Sequence, residues 1–104
     1  EYNLGGRLAA AAFMLHDGGR IAAAQRVARL ALAHLDVSRL GLAGAPATVL
    51  AQADASSGML YELILGDLNA AQSCYERAIQ RDAHRPSAKA GLARVQALQA
   101  ANNR

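Results

Sequence analysis

Three histidines, His16, His34 and His84, and one cysteine, Cys74, are the soft metal ligands of this 104-residue sequence. A zinc-type site needs two of them at i, i+4 or as a Cys-x-x-Cys pair, so that one helix or turn holds both lone pairs on the metal. No pair here has that spacing. As a nucleophile Cys74 would need an accessible, electropositive setting that favours the thiolate. Its place in an apolar helical stripe instead predicts a small core residue. Among the few carboxylates, Asp17 and Asp67 stand in equivalent inter-helix turns, where a short acidic side chain caps a helix more readily than it moves a proton. No Gly-x-Ser-x-Gly elbow, phosphate-cradling glycine loop or dinucleotide fingerprint is present, and Gly18-Gly19 lies between two helical segments rather than after a strand. These residues predict no enzyme active site, no metal and no cofactor.

Composition narrows the elements that must carry whatever function remains. The chain is 53% hydrophobic, mostly Ala and Leu, with no Trp, one Phe (Phe13) and three Tyr (Tyr2, Tyr61, Tyr75). Such residues favour close-packed helices, whereas strands draw on β-branched and aromatic side chains. The net charge is +3, and ten of the eleven basic residues are Arg, scattered from Arg7 to Arg104 without a run. A nucleic-acid surface needs clustered cations with stacking aromatics, so none is expected. A single cysteine excludes an internal disulfide and leaves the redox compartment open. No charge-free stretch reaches the roughly 18 residues of a membrane span, and the longest candidate, from Leu40 to Ala53, is broken by Gly and Pro. The Ala and Arg bias resembles bacterial usage. The start at Glu1, without an initiator Met or a signal-like segment, suggests an excised or processed piece of a longer protein and leaves localisation open.

The periodicity predicts five helices, near residues 4–16, 20–35, 46–65, 68–82 and 86–100. Leu4, Leu8, Ala11, Ala12 and Leu15 share a face of the first, with Asn3 available as N-cap. Asp17-Gly18-Gly19 stops it, and Ile21, Ala24, Val27, Ala28, Ala31 and Leu35 line the second. Residues 36–45, with Ser38, Gly41 and Gly44 among them, predict an ordered connecting loop with room for one helical turn, which keeps only Leu40 and Leu42 as anchors. Pro46 suits the first turn of the third helix and Gly66 its end. Asp67 caps a fourth, whose inward stripe is Leu68, Ala71, Cys74, Tyr75, Ala78 and Ile79, and Pro86 opens a fifth carrying Ala88, Leu92, Val95 and Leu98.

Two segments repeat. Leu8 is followed at fixed intervals by Ala11-Ala12, Leu15, Ala24, Ala28 and Ala31, and Gly66 to Ile79 carries the same turn, Ala, aromatic, Ala phrase at Ala71, Tyr75 and Ala78. This pattern resembles the tetratricopeptide repeat, with Leu8 at the family's Trp position, Ala28 at its aromatic, and Asp36 and Ala83 where Pro is usual. Gly19 and Gly66 lie 47 residues apart, against a family period of about 34. About a dozen of the extra residues fall in the 36–45 connection, and one falls inside the third helix between Tyr61 and Gly66, where it would rotate or bulge the helix face. The resemblance implies an all-α stack of about two and a half helical hairpins in one domain: 4–35, 46–82 and a capping helix, 86–100.

It also implies a concave face lined by the first helix of each repeat. Carried over position by position, that face presents Ala9, Ala10, Phe13, His16 and Asp17, then Gln52, Ala55, Ser56, Met59 and Glu62, then Ala90, Arg94 and Ala97. Phe13 and Met59 are there either as filler between helices or as apolar anchors for a ligand, with Glu62 and Arg94 to orient it. The implied function is a non-catalytic scaffold for a peptide or protein segment. Two alternatives are a homo-oligomerisation module, as a homodimer, and an accessory domain of a larger enzyme or secretion-type protein.

Overall fold

The computed structural model describes residues 2–41, 44 and 46–102. Its helices are α1 (Tyr2–Asp17), α2 (Ile21–Gly41), α3 (Ala47–Leu60), α4 (Leu68–Arg81) and α5 (Pro86–Asn102), and α3 runs on into a π-helical segment, Tyr61–Leu65. Among the described residues there is no strand.

Local chemistry accounts for most boundaries. Gly19 and Gly66 adopt φ of 82° and 71°, a left-handed conformation that costs glycine nothing and ends the helix before it. The Asp67 carboxylate accepts from the backbone N–H of Ala70 at 3.0 Å and caps α4. Asp17 is not its counterpart, because it is the last residue of α1 and exposed. The residue that follows the left-handed glycine in the first hairpin, as Asp67 does in the second, is Arg20. Asn3 likewise lies inside α1 rather than at its N-cap.

The expected loop over 36–45 is largely helix, since α2 continues to Gly41. Asp36-Val-Ser-Arg-Leu contains neither Gly nor Pro, so nothing in it breaks the hydrogen-bond ladder before Gly41. Leu42, Ala45, Asn103 and Arg104 lie outside the described residues. The extra residue between Tyr61 and Gly66 is absorbed as the π segment, in which the Gly66 N–H reaches back five residues to the Tyr61 carbonyl.

Helix α3 is the shared wall of two cores. Ala53 and Leu60, with Ile64 of the π segment, pack with Ala9, Ala12, Ala28, Leu32 and Leu35 of the first hairpin. Ala51 and Ala55 pack with Ala71, Tyr75, Ala78, Ala88 and Val95. The first helices touch in series, α1 on α3 and α3 on α5, while α2 and α4 each pack on α3. Ala24, Ala28, Ala71, Tyr75 and Ala78 are buried as the spacing predicts, but Leu92 is half-buried and Leu4, Ile21 and Leu98 are exposed. A helix buries only the sides its neighbours cover, and α1, α2 and α5 are covered on fewer sides than α3.

The two hairpins close with different volumes at equivalent positions. Ala12 meets the first core with Ala28, both fully buried. Their counterparts are Gly58 and Tyr75, and a Cβ on Gly58 would stand 2.7 Å from the Tyr75 ring. A second glycine, Gly91 of α5, flanks the same ring still more closely, at 2.3 Å. Tyr75 therefore fits only because the helices on both sides of it have no side chain there.

Candidate functional site

Helices α1, α3 and α5 form one wall of the stack, and the eight residues expected to bind a partner distribute unevenly along it. Gln52 is exposed and Ser56 half-buried on α3. Phe13 and Met59 are half-buried, the first packed against the α1–α2 core and the second against the α4–α5 core. Both therefore fill space between helices while keeping an exposed edge. His16 and Asp17 sit at the end of α1, with His16 Nδ1 4.0 Å from Asp17 Oδ1.

Glu62 and Arg94 stand apart from that arrangement because each is already engaged. The Glu62 side chain, 3% exposed, accepts from Arg94 Nε at 2.9 Å and Nη2 at 3.0 Å, and from the Tyr75 hydroxyl at 2.7 Å. A bidentate guanidinium pair of this kind fixes geometry as well as charge. Burial opposes ionisation of Glu62, but the hydrogen bonds from Arg94 and Tyr75 and the charge of Arg94 outweigh it and hold the carboxyl below its ordinary value. Burial first, then the bond to Glu62, raises the Tyr75 phenol well above its usual value. The three groups clamp α5 to the π segment and α4, and Glu62 is consumed by that clamp rather than presented to a ligand.

On the opposite side a polar cleft opens between α2, the π segment and α4. Its inner part, about 260 Å³, is lined by Ser57, Tyr61, Ser73, Cys74 and Arg77 among others. An adjoining mouth of about 480 Å³ is bordered by Arg29, Asp36 and Asp67. Beneath lies Asp54, 2% exposed, with Arg77 Nε 3.3 Å from Oδ1 and Arg81 Nε 3.0 Å from Oδ2. Arg77 Nη2 also donates to Cys74 Sγ at 3.3 Å. Burial raises the Tyr61 phenol, with Cys74, Asp36 and Asp67 adding to the shift and Arg77 opposing it.

Sequence reasoning missed this ion-pair cluster. A signal was available: in the repeat register Asp54 occupies the position of Leu8, and a carboxylate at an apolar position of a packed helix demands cations nearby. Its partners follow 23 and 27 residues later on α4, a pairing that only the antiparallel α3–α4 hairpin brings about.

Among the described residues no three His, Cys, Asp or Glu side chains converge as metal ligands would, and no helix is long and apolar enough to cross a membrane. Compared with protein-family models, curated proteins and solved structures, the chain matches none.

Proposed function

We propose that this chain is a non-catalytic, tetratricopeptide-like scaffold that holds a peptide or protein segment along the α1–α3–α5 wall. The observation that carries the reading is the serial contact of the first helices through α3. That contact makes one continuous surface on which Ala10, Gln52, Ala90 and Ala97 are exposed and the edges of Phe13 and Met59 are apolar. Small side chains leave room for a segment laid across the wall, while half-buried apolar edges supply anchors. Glu62 and Arg94 take a supporting role, since their clamp sets the angle of α5 against α3.

Peptides selected from a random displayed library against the full chain test this. Replacing Phe13 and Met59 together with Ala should weaken the selected peptides by about 2–4 kcal/mol, and Ser56→Arg should block them sterically. Arg29→Glu with Gln80→Glu, on the outward faces of α2 and α4, should change affinity by less than about 1 kcal/mol. Melting curves separate lost binding from lost folding. The reverse ranking would move the binding surface to the α2–α4 side.

A further inference from the structure

The internal repeat sets the two hairpins in register, and the register exposes a second surface. Up to the π segment the offset is 46 residues, so that Arg7, Ala11 and Met14 of α1 correspond to Ala53, Ser57 and Leu60 of α3. Beyond it the offset is 47, and Val27 and Leu30 of α2 correspond to Cys74 and Arg77 of α4. On the second hairpin these positions face the first: Ala53 and Leu60 are buried against it, and Ser57, Cys74 and Arg77 line the cleft beside α2.

On the first hairpin three of the same positions are open, while Ala11 and Val27 are half-buried, Val27 against its own hairpin's core. Met14 is 75% exposed and Leu30 50%, and Arg7 is exposed. The first hairpin is also more apolar at these positions, with half-buried Leu8, Ala11 and Val27 and exposed Leu30 where the second hairpin has Asp54, Ser57, Cys74 and Arg77. Isolated exposed apolar residues need no explanation, but Met14 and Leu30, with the half-buried Ala11 and Val27, occupy positions whose equivalents receive a helix and so describe a docking face.

We infer that this outer face of α1–α2 docks an amphipathic helix of a partner protein whose apolar stripe is flanked by carboxylates. The helical form follows from the counterpart. Ala53 and Leu60 share one buried core with Ala28, Ala31, Leu32 and Leu35 of α2, which form an i, i+3, i+4, i+7 stripe. The acidic flank follows from charge. Arg7 replaces the neutral Ala53 within the stripe, and Arg26, also exposed, replaces Ser73, while no acidic residue occupies any of the matched positions. A second copy of this chain fits less well, since α2 would bring its own Arg26 and Arg29 against Arg7. The face lies off the α1–α3–α5 wall and does not depend on the peptide-binding reading given to that wall.

The probes are two stapled helical peptides of about 20 residues, identical in an i, i+3, i+4, i+7 Leu stripe and differing only in Glu or Lys on its flanks, titrated into the full chain by fluorescence anisotropy. The Glu peptide should saturate, bind at least ~10-fold more tightly than the Lys peptide, and lose at least ~10-fold on Met14→Asp. Arg7→Glu with Arg26→Glu should invert the preference, a result that a general loss of folding cannot produce. Ser56→Arg, on the other wall, should leave the Glu peptide unaffected. Equal binding of the two peptides, insensitivity to Met14→Asp, or no saturation of the Glu peptide would overturn the inference. So would a concentration-dependent dimer abolished by Met14→Asp, which would make a second copy the occupant.

Discussion

Adding one methyl group at Gly91 tests how the second core is built. Its Cβ would stand 2.3 Å from Tyr75 Cζ and 2.5 Å from Cε1, atoms of a rigid ring that cannot yield by rotating an end group. To restore ordinary contact the ring must retreat by about an ångström, and the 2.7 Å bond from its hydroxyl to Glu62 then lengthens beyond hydrogen-bonding range. Overpacking costs about 1–3 kcal/mol, and loss of a hydrogen bond to a buried carboxylate about 1.5–3 kcal/mol more. Alanine's better helix propensity returns about 1 kcal/mol. Gly91→Ala should therefore destabilise by about 1.5–5 kcal/mol, lowering Tm by about 6–20 °C in a domain of this size. The assay is urea unfolding followed by circular dichroism, run as a cycle with Tyr75→Ala, which alone should cost about 3–5 kcal/mol. Because removing the ring removes the clash, the double variant should be more stable than the sum of the singles by at least about 1 kcal/mol. A Gly91→Ala protein as stable as the parent, or a cycle that adds within about 0.5 kcal/mol, would refute the claim that the ring is held between two bare helix backbones.

Asp54 occupies the repeat position of Leu8, and a buried ion pair is often matched or bettered by a packed apolar side chain. Asp54→Leu should leave stability unchanged or raise it by up to about 4 kcal/mol, because Arg77 and Arg81 are each about one-third exposed and can turn to solvent. Arg77→Ala with Arg81→Ala should cost about 3–5 kcal/mol by taking two counter-charges from a buried carboxylate, as chemical unfolding at pH 7 would measure. Glu62 is held below its ordinary value in the fold, so its stabilisation is complete above the unfolded carboxylate pKa of about 4.3 and is lost as pH falls through the folded value. Acid unfolding should therefore be less steep below pH about 4.3 in Glu62→Gln than in the parent, and coincident curves would remove Glu62 from the clamp.

Helix number, type and most boundaries could be read from the sequence because they are set locally. Gly66 and Asp67 end one helix and start the next through their own backbone and carboxylate chemistry, and Ala71, Tyr75 and Ala78 announce a buried stripe by spacing alone. The extra residue before Gly66 was visible as a count, although the count did not show that the backbone would widen into a π turn. The end of α2 was misjudged because Ser38 and Gly41 weaken a helix without stopping it, and Asp36 to Gly41 contains no proline.

The fates of individual polar side chains were settled only by the tertiary structure. Glu62 and Arg94 have the composition of a ligand-orienting pair, yet they close on each other and on Tyr75 because the π segment and α5 meet there. Asp54 gives no sign in isolation of the two arginines that neutralise it, since they come from another helix. Helical periodicity assigns a residue to a face, which is a one-dimensional property. Whether that face meets solvent, a glycine or a counter-charge depends on the crossing of a second helix, and that is decided by the packed volumes of both.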